Sequence, residues 1–581
     1  MDSRSTPARL TETATVKLSR PFLLVIGAIY ILAGLFFRDP WKTDDVVGLA
    51  TMVSALAQPD WTDWLAPQIG VLAHAQDGPL TTWVGAFSIW LFAPLFEIFA
   101  PGHDGAIIAS RLPNLLWFGI LVASVWYGSY LLGRRPEPQP LQLPFGGEPS
   151  VNDYGRMIAD AALLLILATV GIVWRMHETS DVPALIAFQA LAFYAVARMI
   201  DRPVAGAVVL GIAVGAAFLT RGWIGSLPIM LAALFAFHPQ GALWPQRAWL
   251  ALSAGIALVI GLAWWLPMQA FHPYWAQNWW LWNSQSFGLP QRDVLLSLLR
   301  DLPWFLWPTW PFALLAVWRW RDWLSSPHIW VPLMFLAWPL ITMLFLADVF
   351  EPEYALMAIP AAVLAAFALP TLRRAIVNSL DWFAVMCFSL TAATVWLGWF
   401  ALHTGWPAQI HHNIIRLTRG YEILVSWPSV MIGLAGTLAW VALVRWRVHN
   451  RPAALWRGTV LSAGGLITTW LLLVTLWMPV LDYVRSYRQV SAQLAHALHL
   501  YARPRECVRA LAVGTGQRAS FLIFAGLEFS YDSSCTLILQ QTSQEAIRDG
   551  RAAFPDAMTV LWQGRRGADR DEMFRLLRVE R

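Results

Sequence analysis

Four side chains in this 581-residue sequence stand where charge is costly. Asp44 and Asp45 form an adjacent pair just after the first long apolar run and open the stretch "DDVVGLATMVSALA". Asp181 begins another apolar run in "HETSDVPALIAF", and Arg221 interrupts two more in "AAFLTRGWIGSLP". A carboxylate at the mouth of a helical bundle can take a proton from a hydroxyl, and a guanidinium can hold an anion. Ionisable residues inside or at the rim of such a bundle are functional features by default. Each also has a plainer account. Acids in a helix's first turn suit its dipole, Asp181 with Pro183 after it reads as an N-cap, and Arg221 could reach for lipid headgroups.

The elements that must position these groups are membrane helices. The chain is 57% hydrophobic and 13% charged, with mean hydropathy +0.51, whereas soluble domains carry about a quarter charged residues. Continuous apolar runs of roughly 16–22 residues recur along it without period-2 alternation, which excludes a β-barrel. Many of its 36 tryptophans, such as Trp264, Trp265, Trp304 and Trp307, crowd the run ends where indoles favour the headgroup layer. The basic residues are scattered in short connections, so they read as topology determinants and not as a nucleic-acid surface.

Taking the basic connections as cytoplasmic places spans near 21–37, 108–132, 157–175, 182–200, 203–220, 222–237, 249–270, 303–318, 328–347, 355–370, 382–402, 427–445 and 457–478. The expected architecture is an all-α polytopic membrane protein with about thirteen transmembrane helices. Residues 1–20 form a cytoplasmic N-terminus, 21–478 the membrane domain, and 479–581 a small α/β domain on the periplasmic side. The apolar run 80–100 is left out because a crossing there would invert every later basic loop. It is expected to lie along the outer interface, making 38–107 one long periplasmic loop and 271–302 a second, aromatic one. On this topology Asp44, Asp45, Asp181 and Arg221 all face the periplasm.

The order of motifs carries a resemblance. An acidic doublet after span one, "GPLTTW" some thirty residues on, "RLPNLL" opening the next span, an outer Asp, "FLTRGW" and a late "EPEYALMAIP" follow one another. The sequence resembles the type C glycosyltransferases that use polyprenyl-phosphate sugars, in the branch of lipid A aminoarabinose transferases and protein O-mannosyltransferases. The resemblance implies a membrane glycosyltransferase that moves a sugar from a polyprenyl-phosphate donor to a lipid, glycan or protein acceptor. Asp44 matches the family's acceptor acid and Asp181 its second acid. Arg221 matches a lysine of the family's hairpin and Arg111 the arginine opening the following span; with Asp45 they would serve the donor phosphate. Trp279, Trp280 and Tyr354 are candidate sugar or lipid contacts. The implied setting is a bacterial inner membrane, with no cofactor; a divalent ion on the paired acids is conceivable but unsupported.

The departures from the family are as specific. Val47 stands where the doublet motif has arginine, Asp77 where a lysine precedes "GPL", and Ser286 where relatives place an arginine. No basic residue precedes Tyr354 in "EPEYAL". Phosphate affinity resting on several charge-assisted contacts would not survive these losses unaltered, so a catalytically degenerate relative that binds a lipid-linked glycan is the alternative reading.

In the last hundred residues "CVRALAVG", "SFLIFAG", "CTLILQQ" and "MTVLWQG" read as strands, and "SQEAIRDGRAAF" and "DRDEMFRLLR" as helices. Cys507 and Cys535 each begin an expected strand and could form a disulfide or remain buried thiols; Cys387 lies within a span. His403, His411 and His412 lack the spacing and carboxylate of a zinc site. A secondary transporter is disfavoured, because the ionisable residues gather at one rim and no repeated halves are evident.

Overall fold

A computed structural model describes residues 6–15, 17–99, 104–142, 144, 146–348, 351–450, 453–504, 506–550, 558–569 and 571–579. Arg4 and Arg451, which belong to the basic stretches taken as cytoplasmic, lie outside them, as does the end of the helix expected at "SQEAIRDGRAAF". Ten helices among the described residues are long and apolar enough to cross a membrane. Three expected spans are not among those ten. The first ends at Leu32 after 13 residues, because Gly34 takes a left-handed conformation (φ 79°). The third stops at Leu167, where the Thr169 hydroxyl donates back to Leu165 and the chain restarts as Val170–Arg175. The stretch expected at 303–318 is split: residues 303–305 end helix Arg292–Phe305, and a second helix, Thr309–Arg319, starts directly after Pro308. Leu80–Phe99, left out of the expected spans, is one of the ten by length and composition; it packs against helix Asp44–Ala57 and the turn Gly105–Ala109.

Helices Val182–Met199 and Glu351–Thr371 form the centre of the bundle, with 83% and 94% of their most apolar windows buried. Both are rich in alanine, and small side chains let helices approach closely where dispersion rather than water drives packing. Segment Pro203–Phe235 is helical except at Arg221 (φ −141°, ψ 23°) and Gly222 (φ 56°, ψ −138°). Residues eight apart on a straight helix are about 12 Å apart. Here a methyl group at Gly225 would lie 3.1 Å from the Ala217 carbonyl, so the chain doubles back as two antiparallel arms. Gly222 is required at the bend, since its dihedrals suit only glycine and any side chain there would meet Trp279 and Asn283.

The C-terminal unit is built on a five-stranded sheet. After a small hairpin, β1 (Gln68–Ile69) with β2 (Leu72–Ala73), the strands are β3 (Val508–Leu511), β4 (Phe529–Ser530), β5 (Leu537–Ser543), β6 (Met558–Gly564) and β7 (Glu572–Val579). Their order is β4-β3-β5-β7-β6, parallel around β3 and antiparallel around β7. Two assignments are corrected. "SFLIFAG" belongs to helix Thr515–Ala525, which Gly526 ends in a left-handed conformation. "EMFRLLRV" is strand β7 and not a helix; lying between two partners it buries Met573 through Leu577 consecutively, which erased the alternation that marks a strand. Cys507 and Cys535 are joined by a disulfide.

This unit is fastened to the segment that leads into Asp44. Val46, Val47 and Ala50 pack against Ala519 and Leu522 of helix Thr515–Ala525. Thus Val47, at the position of the family's arginine, is buried beneath the C-terminal unit. Lys42 pairs with Glu572 at 3.8 Å, Arg488 with Asp39 at 2.6 Å, and the Trp41 indole donates to Asp482 at 2.7 Å.

Helix Asp44–Ala57 in turn lies against backbone at 179–180, and Gly48 makes the approach possible: an added methyl would collide with the Thr179 carbonyl. Gly48→Ala is expected to lower the apparent thermal transition of the detergent-solubilised protein, with an overpacking cost of about 1–3 kcal/mol. Gly119→Ala, where a methyl meets nothing within 4 Å, should leave the transition in place.

Candidate active site

The acidic doublet is divided by the helix it opens. Asp45 turns inward and Asp44 turns to solvent. Arg38 donates to Asp45 Oδ2 at 2.6 Å, the Trp41 N–H donates to the same oxygen at 3.0 Å, and the Thr179 N–H donates to Oδ1 at 2.7 Å. Arg111 Nη2 stands 3.7 Å away. Burial raises the Asp45 pKa, but Arg38, Arg111 and the two backbone donors outweigh it and hold the carboxyl below its usual range. Arg111 is fully buried, its Nη1 donating to the Leu35 and Arg38 carbonyls at 3.2 and 2.7 Å. These two residues, expected near a donor phosphate, are therefore engaged with each other and with backbone of the loop 35–41 and of Thr179.

Asp44 has 42% of its side chain exposed and lines a polar cavity of about 370 Å³. Five cationic residues share that lining: Arg38, Lys42, Arg175, Arg221 and Arg485. Four of them, all but Arg221, lie outside the motif positions that carry the resemblance. Their signals were present: Arg38 and Lys42 flank the approach to the doublet, Arg175 lies three residues before Glu178, and Arg485 follows the last span in "LDYVRSY". Arg175 Nη1 contacts Glu178 at 3.1 Å and Asp44 at 3.5 Å, and its Nη2 lies 3.3 Å from Glu351. Loss of hydration raises the Asp44 pKa, while Arg221 and Arg175 pull it back. Burial pushes the Glu178 carboxyl up to about 7 against the pull of Arg175.

Arg221 sits at the bend of the doubled-back segment and lines the same cavity. Three carboxylates surround its guanidinium. It pairs with Asp77, its Nε lies 3.3 Å from Asp181, and its Nη2 lies 3.1 Å from Glu353. Asp77 itself also contacts His74 at 3.0 Å, and Arg221 and His74 outweigh its burial to hold its carboxyl low. Burial raises Asp181 well above the usual range, with Arg221 opposing. Asp44 and Arg221 thus face one hollow, and Asp181 joins them through Arg221.

The aromatic candidates lie elsewhere. Trp279 and Trp280 line an apolar groove of about 560 Å³ between the two arms of 203–235 and the helix 250–271, alongside Phe218, Trp223 and Trp265. Tyr354 is buried against Phe305 and lines neither hollow. Ser286, at a position where relatives carry arginine, donates to the Trp282 carbonyl at 2.7 Å. Among the described residues, no three His, Cys, Asp or Glu side chains are placed to hold a metal ion.

Exchanging Asp45 for asparagine keeps the shape but leaves Arg38 and Arg111 buried without their counter-ion. Breaking a buried pair costs about 3–5 kcal/mol, so Asp45→Asn should strongly lower thermal stability near neutral pH. Because the folded-state pKa of Asp45 is depressed, its contribution is present above about 3.9 and is lost on acidification. The gap between wild type and variant, measured by thermal unfolding at a series of pH values, should therefore close as pH falls below that point.

No protein-family model matches the chain, and neither does any curated protein sequence. Among solved structures it is similar to ArnT from Cupriavidus metallidurans, in the crystal structure bound to undecaprenyl phosphate and in the apo state. Each comparison gives a TM-score of 0.63 at 15% identity, covering 96% of this chain and 97% of that one. The oligosaccharyltransferase of Archaeoglobus fulgidus, solved with zinc and sulfate, gives 0.36 at 11% identity, covering 89% of this chain and 67% of that one. At 15% identity the likeness is one of fold, and it runs from the first apolar helix into the C-terminal unit: the chain has the type C glycosyltransferase fold.

Proposed function

We propose that the protein is a membrane glycosyltransferase that takes a sugar from a polyprenyl-phosphate donor and passes it to an acceptor hydroxyl at the periplasmic face. The observation that carries this reading is a half-exposed carboxylate, Asp44, facing a cavity that five cationic residues line. The fold is that of a protein solved with undecaprenyl phosphate bound. A donor of this kind needs an apolar berth next to a polar one. The groove holding Trp279 and Trp280 adjoins the Arg221–Trp223 bend, and Arg221 lines the polar cavity.

The chemistry follows from the groups present. The acceptor oxygen attacks the anomeric carbon while Asp44 removes its proton. A new bond forms between that oxygen and the anomeric carbon. The bond from the carbon to the phosphate oxygen breaks, and its electron pair leaves with the polyprenyl phosphate. Positive charge gathers on the sugar ring and is stabilised by the nearby carboxylates, while the cations lower the cost of the charge on the departing phosphate. Asp45 positions the base without touching substrate. It pins the start of the helix and leaves Asp44 as the acid that opens into the hollow.

The test is transfer of label from undecaprenyl-phosphate sugars to an envelope lipid and protein extract by purified protein. Wild type is expected to transfer label, and Asp44→Asn at least a hundredfold more slowly, in line with the usual contribution of general-base catalysis. A base must be deprotonated, and the Asp44 pKa is raised, so the rate should climb with pH through a midpoint above about 3.9, the ordinary aspartate value. Equal rates for the two proteins would remove Asp44 from the mechanism. Absence of transfer from any donor would favour the accessory, lipid-linked-glycan-binding role.

A further inference from the structure

The cavity holds cations in two different states, and only one suits an incoming anion. Arg221, at the conspicuous hairpin, is already enclosed by Asp77, Asp181 and Glu353. A phosphate arriving there would displace those pairs or meet their negative charge at close range. Arg175 is similarly shared among Glu178, Asp44 and Glu351, although it keeps one face on the cavity.

Arg485 differs. It ends helix Met478–Arg485, which leads into the C-terminal unit, and its guanidinium lies 5.1 Å from the ring centre of Trp174 and 5.7 Å from that of Trp41. Among the described residues no carboxylate pairs with it. Stacking on indoles holds the plane of a guanidinium while leaving its edge N–H groups free to donate, a geometry matched to the oxygens of phosphate. Those two indoles are themselves stacked, with centres 4.8 Å apart, and Trp41 is fixed by its bond to Asp482. The indoles therefore hold the side chain in place while, among the described residues, its charge is left without a carboxylate.

Its position is equally specific. Arg485 and Lys42 line the cavity that Asp44 faces, and both also line a second hollow of about 680 Å³ bounded by Val484, Arg566 and Asp569. The uncompensated cation thus stands where the cavity meets the foot of the C-terminal unit. Among the described residues Lys42 has only a distant ionic partner, Glu572 at 3.8 Å, and 37% of its side chain is exposed.

We propose that Arg485, with Lys42 beside it, is the phosphate-binding site of this protein, taking the place of the cations missing at positions 47, 77 and 286. The ligand class is a phosphate ester, and on the reading above it is the phosphate of the polyprenyl donor. The C-terminal unit is then part of the site, because its leading helix supplies the principal anion ligand. Arg221 is instead a structural cation that gathers three carboxylates at the hairpin.

The experiment measures binding of undecaprenyl phosphate and, separately, of inorganic phosphate to full-length protein in detergent by native mass spectrometry and thermophoresis. Arg485→Gln should weaken undecaprenyl phosphate binding at least tenfold, Arg485→Lys should recover part of that loss, and Lys42→Gln should weaken it about threefold. Thermal transitions are recorded alongside; if Arg485→Gln fails to fold, the lysine and Lys42 variants carry the comparison. Undecaprenyl phosphate bound equally by wild type and by folded Arg485 and Lys42 variants would overturn the proposal while leaving the donor reading intact. Inorganic phosphate bound in an Arg485-dependent way, with no binding of undecaprenyl phosphate, would sustain the phosphate site and end the donor reading. Binding of neither ligand by wild type would defeat both.

Discussion

The arrangement depends on one buried carboxylate. Asp45 collects a guanidinium from the segment after the first helix, another from the turn that leads into helix Pro113–Gly133, and two backbone donors, one from its own loop and one from residue 179. Taking a charge out of water is tolerable only when its oxygens are satisfied this fully. The consequence is geometric. Three stretches far apart in sequence are drawn to one point at the rim of the bundle, and the helix beginning at Asp44 can have only one orientation there. Asp44 is left facing a hollow because its neighbour is occupied.

The C-terminal unit strengthens that arrangement from the other side. Helix Thr515–Ala525 covers Val46, Val47 and Ala50, while Lys42, Asp39 and Trp41 each bond to residues beyond the last long apolar helix. The cavity is consequently assembled from both ends of the chain. Its positive charge arrives with residues 38, 42, 175 and 485 rather than with the motif positions. The acids of its lining, Asp44, Asp45, Glu178 and Glu351, gather on Arg38 and Arg175, while Asp77, Asp181 and Glu353 enclose Arg221. Substitution of a lysine by Asp77 is understandable in this light, since the aspartate pairs with Arg221 and no longer has to face an anion.

Much of this was legible in the sequence, for identifiable reasons. Long apolar runs, tryptophans at their ends and the ordered motifs pointed to the polytopic fold, because hydrophobic length is a physical requirement for crossing hydrocarbon. The break at Arg221 was visible as a charge between two apolar runs. The short first, third and 303–318 helices were not, since composition reports how apolar a run is and not where Gly34, Thr169 or Pro308 interrupts it. In the C-terminal unit, strand β7 was hidden by burial on both faces, and helix Thr515–Ala525 by an apolar cluster, "FLIFA", that suits either state. Asp44 and Asp45 were found as a pair, but which one faces inward depends on Arg38, Arg111 and Thr179, and such long-range partners leave no local trace. Arg485 lies about 440 residues from Asp44 in the chain, and only the fold brings it to the cavity.

The most direct measurement is a cryo-electron microscopy density of the protein in lipid nanodiscs with undecaprenyl phosphate added. The account predicts a phosphate in the cavity within hydrogen-bonding distance of Arg485, with the Asp44 carboxylate facing the same space and the prenyl chain leaving along the apolar groove. A phosphate seated on Arg221 in place of its carboxylates, or outside this cavity altogether, would contradict it.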